Sequence, residues 1–431
     1  MRVSASRNSI PVVADADMIS AMGVLRLALG YDAVTLSDEI DDVARFTATV
    51  AHTLDEAALS RDWAALEAHG VSSVFQSHSW QHGLATHLLG RLAAAPVIVT
   101  LTDLQTGEPA AIFPLQIRTH RGLEVIEYLG HAFCDTCQPL LSVSLDRSAS
   151  TLRSLIAALI ASLPSADIIS LTKMQRDLFG VANPFNGLKG CRSSADETFP
   201  VELTADAPGF VAETSAYKAY QKQWRKLTRR EGISVHTFES PDDIGRAFDA
   251  MIALRQSRFT DLNRDDLLNE PEVAAFYRAM ALLPEPERAA RIVGLKVGDT
   301  FTAYIYMMDR GGKFSTVISA IDNSVGNAYA PGLILFTKIF ERAIEQGYSH
   351  GDIGVGWMHY KTRFAARKNP LFAWERGLSI KGKAVVAASH AAWTLKQWAK
   401  ENPATRAIAE RVLSRKIGNP APAMAETRDE P

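Results

Sequence analysis

Residues 319–364 read SAIDNSVGNAYAPGLILFTKIFERAIEQGYSHGDIGVGWMHYKTRF, and the fold turns on this stretch. Apolar residues end a strand near Ile321, small residues form a loop, and Pro331-Gly332 opens a helix. A short strand opening at Asp352 follows, and then a polar segment with Trp357, His359, Tyr360 and Lys361 in close order. A helix that starts after such a loop aims unpartnered backbone N–H groups, and the positive end of its dipole, at whatever lies in front of it. That arrangement suits an anion, and a phosphate-bearing ligand is the expectation. Read as chemistry, the loop is either a ligand cradle or an ordinary strand-to-helix connection.

The same order of elements occurs twice. Upstream of the loop, ARIVGLKVGD, TFTAYIYMMD and FSTVISAID read as three β-rich runs joined by Gly-containing turns, a meander. Earlier, PVIVTLTD, AAIFPLQIRTH and LEVIEYLGH form another, followed by a helix through Leu152, Leu155, Ile156, Leu159 and Leu163 and a strand near 166–173. Gly107 and Gly298 hold equivalent turns, and Asp167 and Asp352 equivalent strand starts. The fold class expected is mixed α/β (α+β), with two equivalent units, each a mostly antiparallel sheet flanked by helices, at 71–205 and 206–400. Residues 1–70 read as a partly helical extension, with helical spacing at Ile40, Val43, Phe46 and Val50 and again at Leu59, Trp63 and Leu66; 416–431 read as a disordered tail. Trp80, Leu84, Leu88 and Leu92 predict a helix capped by Ser77 or Ser79, and Ser215–Gly232 a Lys/Arg-rich helix with Tyr217, Tyr220, Trp224 and Leu227 on one face.

Composition narrows the function classes. A chain of 431 residues, 47% hydrophobic and 22% charged, can bury a large core, and a formal charge of −2 gives no global reason to bind DNA or an anionic membrane. Three cysteines argue against a disulfide scaffold and suit the cytoplasm, and no segment is apolar for long enough to span a bilayer. His78, His82 and His87 lack a local acidic or cysteine partner, so no metal is expected. Cys134 and Cys137 form a single CxxC without a thioredoxin-like context and read as structural.

The duplicated meander, the A-P-G-L-I-L helix start, the basic helix ending R-K-L-T-R-R-E-G and the segment D-I-G-V-G-W-M-H-Y-K-T-R-F together resemble the CelD/BcsL-like branch of the GNAT acyltransferases, named for cellulose-biosynthesis acetyltransferases. The likeness runs from about Val74 to Trp398. It implies tandem GNAT units akin to the FemABX-like transferases and an acyl-CoA (acetyl-CoA) co-substrate held in the second unit. The acceptor it implies is an amine, or less often a hydroxyl, of a small molecule or glycan precursor. Under this resemblance Asn323, Gly326, Asn327, Tyr329 and Gly332 contact the donor, and Asp352, His359, Tyr360 and Lys361 supply the acid–base groups. The run Gly354-Val355-Gly356-Trp357-Met358 is more apolar than the acidic, glycine-rich run of typical members.

Two alternatives stay open: an aminoacyl-tRNA-dependent transferase, for which the basic helix would hold tRNA, and a catalytically silent scaffold in polysaccharide biosynthesis. For the same helix, a solvated surface, the 3′-phosphate of CoA and an anionic acceptor are further readings. Asp352 and Lys361 could equally be a turn cap and a surface charge.

Overall fold

Alternating apolar positions carry most of this chain into strands. The computed structural model describes residues 45–203, 214–230, 232–261, 265–288, 290–322, 324 and 329–401. Up to Leu378 these belong to one compact unit; from Ser379 onward they belong to a second, described through the helix Ile380–Glu401.

In chain order the first part holds β1 (Phe46–Ala51), α1 (Ala57–His69), β2 (Gly70–Val71), α2 (His78–Leu92), β3 (Ala94–Asp103), β4 (Pro109–His120), β5 (Leu123–Tyr128), β6 (Leu140–Ser142), α3 (Ala149–Ser162) and β7 (Ile168–Met174). The hairpin β8 (Asp177–Leu178) and β9 (Val181–Ala182) follows, then β10 (Cys191–Thr198) and β11 (Pro200–Glu202). The later part holds α4 (Ser215–Arg230), β12 (Ile233–Thr237), α5 (Pro241–Asp261), α6 (Pro271–Leu282), β13 (Ala290–Val297), β14 (Thr300–Arg310), β15 (Lys313–Ile321), α7 (Pro331–Glu345), β16 (His350–Asp352) and β17 (Asn369–Gly377).

Both meanders and both crossover helices form where expected. In each sheet the third meander strand pairs in parallel with the strand after the helix, β5 with β7 and β15 with β16, while the other principal pairings are antiparallel. Leu59, Trp63 and Leu66 are buried on α1, and Ser77 caps α2 by accepting from Trp80 N.

Phe46 and Val50, however, lie on a strand and not a helix, with Phe46 buried and Thr47 and Thr49 exposed. A spacing of four puts two residues on one face of either element, so that pair alone could not decide. Asp352 closes its strand and does not open it. Ile40, Val43 and the tail 416–431 lie outside the described residues.

The two sheets exchange strands. The first runs β1-β3-β4-β5-β7-β17-β10, so β17, from the far end of the chain, sits between two strands of the earlier part. The second runs β11-β16-β15-β14-β13-β12, with β11 supplied by the earlier part. Strand β14 is buried on both faces: Tyr304, Tyr306 and Met308 face the core shared with the first sheet, while Ala303, Ile305 and Met307 face α7 and α4. Helices α2 and α6 meet where Trp80 packs edge-on against Phe276 at 4.7 Å, and Tyr306 donates from its hydroxyl to Tyr277 O at 3.0 Å.

This interleaving gives a stability prediction. Phe372, fully buried on β17, packs within the first sheet's core, so Phe372→Ala should cost about 3–5 kcal/mol. Urea unfolding followed by tryptophan fluorescence and by far-UV circular dichroism should shift in one shared transition. Two separated transitions would show that the sheets fold independently.

Candidate active site

Strands β15 and β16 pair over only three residues, Lys313 to Ser315 against His350 to Asp352, and then part. A bulge in β15 leaves Val317 extra between Ile318 and Thr316, which pair with Tyr306 and Met307. Bulges bend a strand and re-aim its groups. On the opposite side Gly354 has φ +86°, a conformation costly for residues with a Cβ, and a Cβ there would lie 2.6 Å from Thr316 O. Only glycine lets the loop after β16 pass this close to β15.

Beyond the parting lies a cavity of about 630 Å³. Thr316–Ser319 form one wall and Ile353–Val355 the other; Ala330–Leu333 at the start of α7, together with Tyr360, Lys361, Arg255, Arg258 and Arg363, complete it. Pro331 stands at the first helical position, after Ala330 in the left-handed region at φ 50°. Its missing N–H costs nothing there, and the N–H groups of Gly332 and Leu333 have no carbonyl partner inside the helix. Arg255 is committed, pairing with Asp266 and donating to Ser319 O at 3.2 Å. Arg258 and Arg363 have no carboxylate partner among the described residues, so this cavity carries cationic charge open to an anion.

Next to the cavity sits a cluster of two carboxylates and an ammonium. Asp352 accepts from Gly354 N at 2.8 Å and Phe199 N at 3.2 Å. Burial raises its pKa to about 6; the two N–H bonds oppose the rise and nearby Asp135 adds to it. Asp135 arrives from the loop after β5 and accepts from Val355 N at 3.2 Å, and burial raises its pKa as well. Lys361 is only 3% exposed and donates to Gly354 O at 2.8 Å and Val355 O at 3.2 Å. Burial lowers its pKa, against the pull of Asp352 and Asp135. Its two bonds hold the Gly354–Val355 turn in place.

Of the residues singled out from sequence, Asp352, Tyr360, Lys361 and Gly332 gather around the parted strands. Tyr360 packs at a tilt against Phe336, ring centroids 5.6 Å apart, and lines the cavity, with burial pushing its pKa up to about 12. His359 is exposed and lines neither this cavity nor the smaller one beside it, its ring edge-on to Trp357 at 6.4 Å. Tyr329 is buried in the core under α7, while Asn323, Gly326 and Asn327 lie outside the described residues. His82 pairs with Asp55 at 2.8 Å and His78 bonds Leu54 O. Cys134 and Cys137 are free and buried.

Asp135 and the three arginines escaped the sequence reading. Asp135 did leave a signal, being the only formally charged residue between Glu127 and Asp146, inside an apolar loop. Charges in such surroundings are rare unless partnered or functional. The arginines on α5 had no local signal, since nothing in a helix pattern says which strand end it will cover.

Residues 214–362 match the family model described as Acetyltransferase (GNAT) domain, a range that runs from α4 to β16 and includes most of the large cavity's lining, though not Asp135 or Arg363. No curated protein matches the chain. Among solved structures, FemX aligns at TM-score 0.52 and 11% identity over 75% of this chain and 96% of its own. A tandem GNAT protein from the clavulanic acid biosynthesis pathway aligns at TM-score 0.40 and 12% identity, over 78% and 99%. L-PGS from Bacillus licheniformis aligns at 0.44 and 14%, over 76% and 95%. The fold is a mixed α/β one, and residues 214–362 carry the match to a GNAT acetyltransferase domain. Among the described residues no helix is long and apolar enough to cross a membrane.

The raised Asp352 pKa has a defined sign in stability. With its folded value near 6 and its ordinary value at 3.8, the unfolded chain releases this proton first, so the carboxyl favours the fold below about pH 4 and loses that contribution as pH rises through 6. Asp352→Asn, which keeps an acceptor for both N–H groups, should therefore raise Tm at pH 8 and change it little at pH 4. A lower Tm at pH 8 would contradict burial as the main cause of the shift.

Proposed function

We propose that the chain transfers an acyl group from an acyl-CoA to an amine by direct attack in a ternary complex, with the donor in the large cavity of the second sheet. The observation that carries this reading is the coincidence, in one cleft, of parted strands, a helix start and two arginines without a carboxylate partner among the described residues, beside a half-buried carboxylate pair. Parted strands offer backbone groups to an extended amide-containing arm. The α7 start with Arg258 and Arg363 suits phosphates, since charge-assisted bonds are about twice as strong as neutral ones. When bound, the thioester supplies an activated acyl carbon.

The chain's own residues handle the protons. Asp352, ionised above about pH 6, takes a proton from the acceptor nitrogen as the C–N bond forms. Tyr360, kept protonated at neutral pH, donates to the sulfur as the C–S bond breaks, and the proton on Asp352 returns to the phenolate through solvent. Lys361 and Asp135 fix the Gly354–Val355 turn from opposite sides. No cysteine among the described residues lines the cleft to carry the acyl group, which favours direct attack. The CelD/BcsL-like likeness makes a polysaccharide or envelope precursor that carries its amine on a short alkyl arm the acceptor to try first.

An aminoacyl-tRNA donor is the second reading, favoured by one feature. Lys218, Lys222, Arg225, Lys226 and Arg229 are exposed along α4, which holds no acidic residue. The aromatic face of that helix is not available for base stacking, because Tyr220 is buried and Lys338 lies 4.6 Å over Trp224. Contact would be through phosphates alone.

Acetyl-CoA at about 100 times Kd should stabilise the fold by roughly 2.7 kcal/mol in a thermal-shift titration. Replacing Arg258 and Arg363 with Ala should weaken binding at least tenfold. Absence of any shift, together with salt-sensitive tRNA binding lost on neutralising Arg225 and Arg229, would replace the acyl-CoA reading with the tRNA one. In steady-state assays of thiol release, Tyr360→Phe should lower kcat while leaving the donor Kd unchanged. Asp352→Asn should lower kcat by about 10² to 10⁴ and remove the acid limb near pH 6. An unaltered limb would move the base elsewhere.

A further inference from the structure

A second, smaller cavity of about 60 Å³ lies against the first, and Asp135 lines both. Its walls come from both parts of the chain: Phe75 and Gln175 from the earlier, Phe314 and Asp352 from the later. Its ends differ in charge. Asp135 and Asp352 mark the end toward the large cavity, and the two cations nearby are already bonded to carbonyls, Lys361 to Gly354 O and Val355 O and Lys173 to His131 O and Cys134 O. Lys313 and His350, both part-exposed, line the other end, beside the β8–β9 hairpin. The Lys313 ammonium lies 4.0 Å from the Phe179 ring centroid and has no carboxylate partner among the described residues. His350 stands edge-on to the same ring at 4.6 Å, and Glu202, the acid whose charge it feels, pairs with Arg367 at 3.5 Å.

Resting on the acyltransferase reading above, we infer that this chamber is the acceptor site and that it selects a primary amine carrying an anionic group a few atoms from its nitrogen. The ammonium end faces the carboxylates, and the phosphate or carboxylate end faces Lys313 and His350. Size limits the choice further. If one water needs about 10–15 Å³ of such space, the chamber takes roughly four to six water-sized groups, enough for an aminoalkyl end and too little for a substituted sugar ring. A residue lining both cavities is also what acyl transfer requires, since the attacking nitrogen and the acyl carbon must come within reach of one base. The ammonium that enters beside Asp135 and Asp352 first gives one proton to a carboxylate, which passes it to solvent; the neutral nitrogen then attacks the acyl carbon and gives Asp352 its second proton, while the C–S bond breaks and Tyr360 protonates the departing sulfur.

The test is calorimetric titration of the full chain with phosphoethanolamine, β-alanine and ethanolamine, and separately with acetyl-CoA. At least one of the two zwitterions should bind tenfold or more tightly than ethanolamine. Lys313→Gln should erase that preference and leave acetyl-CoA binding unchanged, Lys313→Arg should retain it, and Asp135→Asn should weaken the zwitterion about tenfold. Equal affinities for all three amines, no binding of any, or a preference that survives Lys313→Gln would overturn the assignment. Failure of acetyl-CoA to bind while the zwitterion profile holds would remove the donor reading and leave the chamber standing. The reverse result would remove the chamber and leave the donor site.

Discussion

The parting of β15 from β16 after Ser315 and Asp352 is the constraint on which the site depends. Two parallel strands that stop pairing expose backbone groups that must find partners, because unpaired buried polar groups are costly. Here several interactions occupy the gap: Gly354 passes close beneath Thr316, Lys361 gathers two carbonyls, and Asp352 and Asp135 accept the N–H groups of Phe199, Gly354 and Val355. What is left open between the strands is the large cavity. In the proposed reaction the carboxylates that satisfy the loop are also the groups that move a proton, so support and chemistry would draw on the same side chains.

Strand exchange explains why this arrangement can be rigid. With β11 in the second sheet and β17 in the first, neither sheet is complete without chain from the other part. Phe199, which bonds Asp352 and Ile353, directly precedes β11, so the inserted strand buttresses the carboxylate. Asp135 reaches across from the opposite sheet to the same turn. A site assembled from three distant segments is held by the packing of both halves, including the Trp80–Phe276 contact between α2 and α6.

Much of the fold was legible because its elements carry strong periodic signals. The meanders, the crossover helices, α4 to α6 and the Pro331 helix start all follow from alternation, helical spacing and punctuation by Gly and Pro. The misses have physical reasons. Phe46 and Val50 fit two periods at once, while Cys191–Thr198 and Pro200–Glu202 are polar or very short and become strands only because a remote partner pairs with them. In the site, Tyr360, Lys361 and Asp352 sit together in sequence and could be read together. Asp135 is separated from Val355 by 220 positions, and Arg258 meets the cleft only through the way α5 lies on β15. Tertiary packing decides such neighbours, and no local pattern encodes them.

The central claim is that the parted strands hold the acyl donor, and a crystal structure of the chain soaked with acetyl-CoA tests it most directly. The thioester should lie between Thr316–Ser319 and Ile353–Val355, with its phosphates at the start of α7 near Arg258 or Arg363. Electron density for the donor on the first sheet, or in the separate cavity beside Arg291 and Arg342, would contradict it.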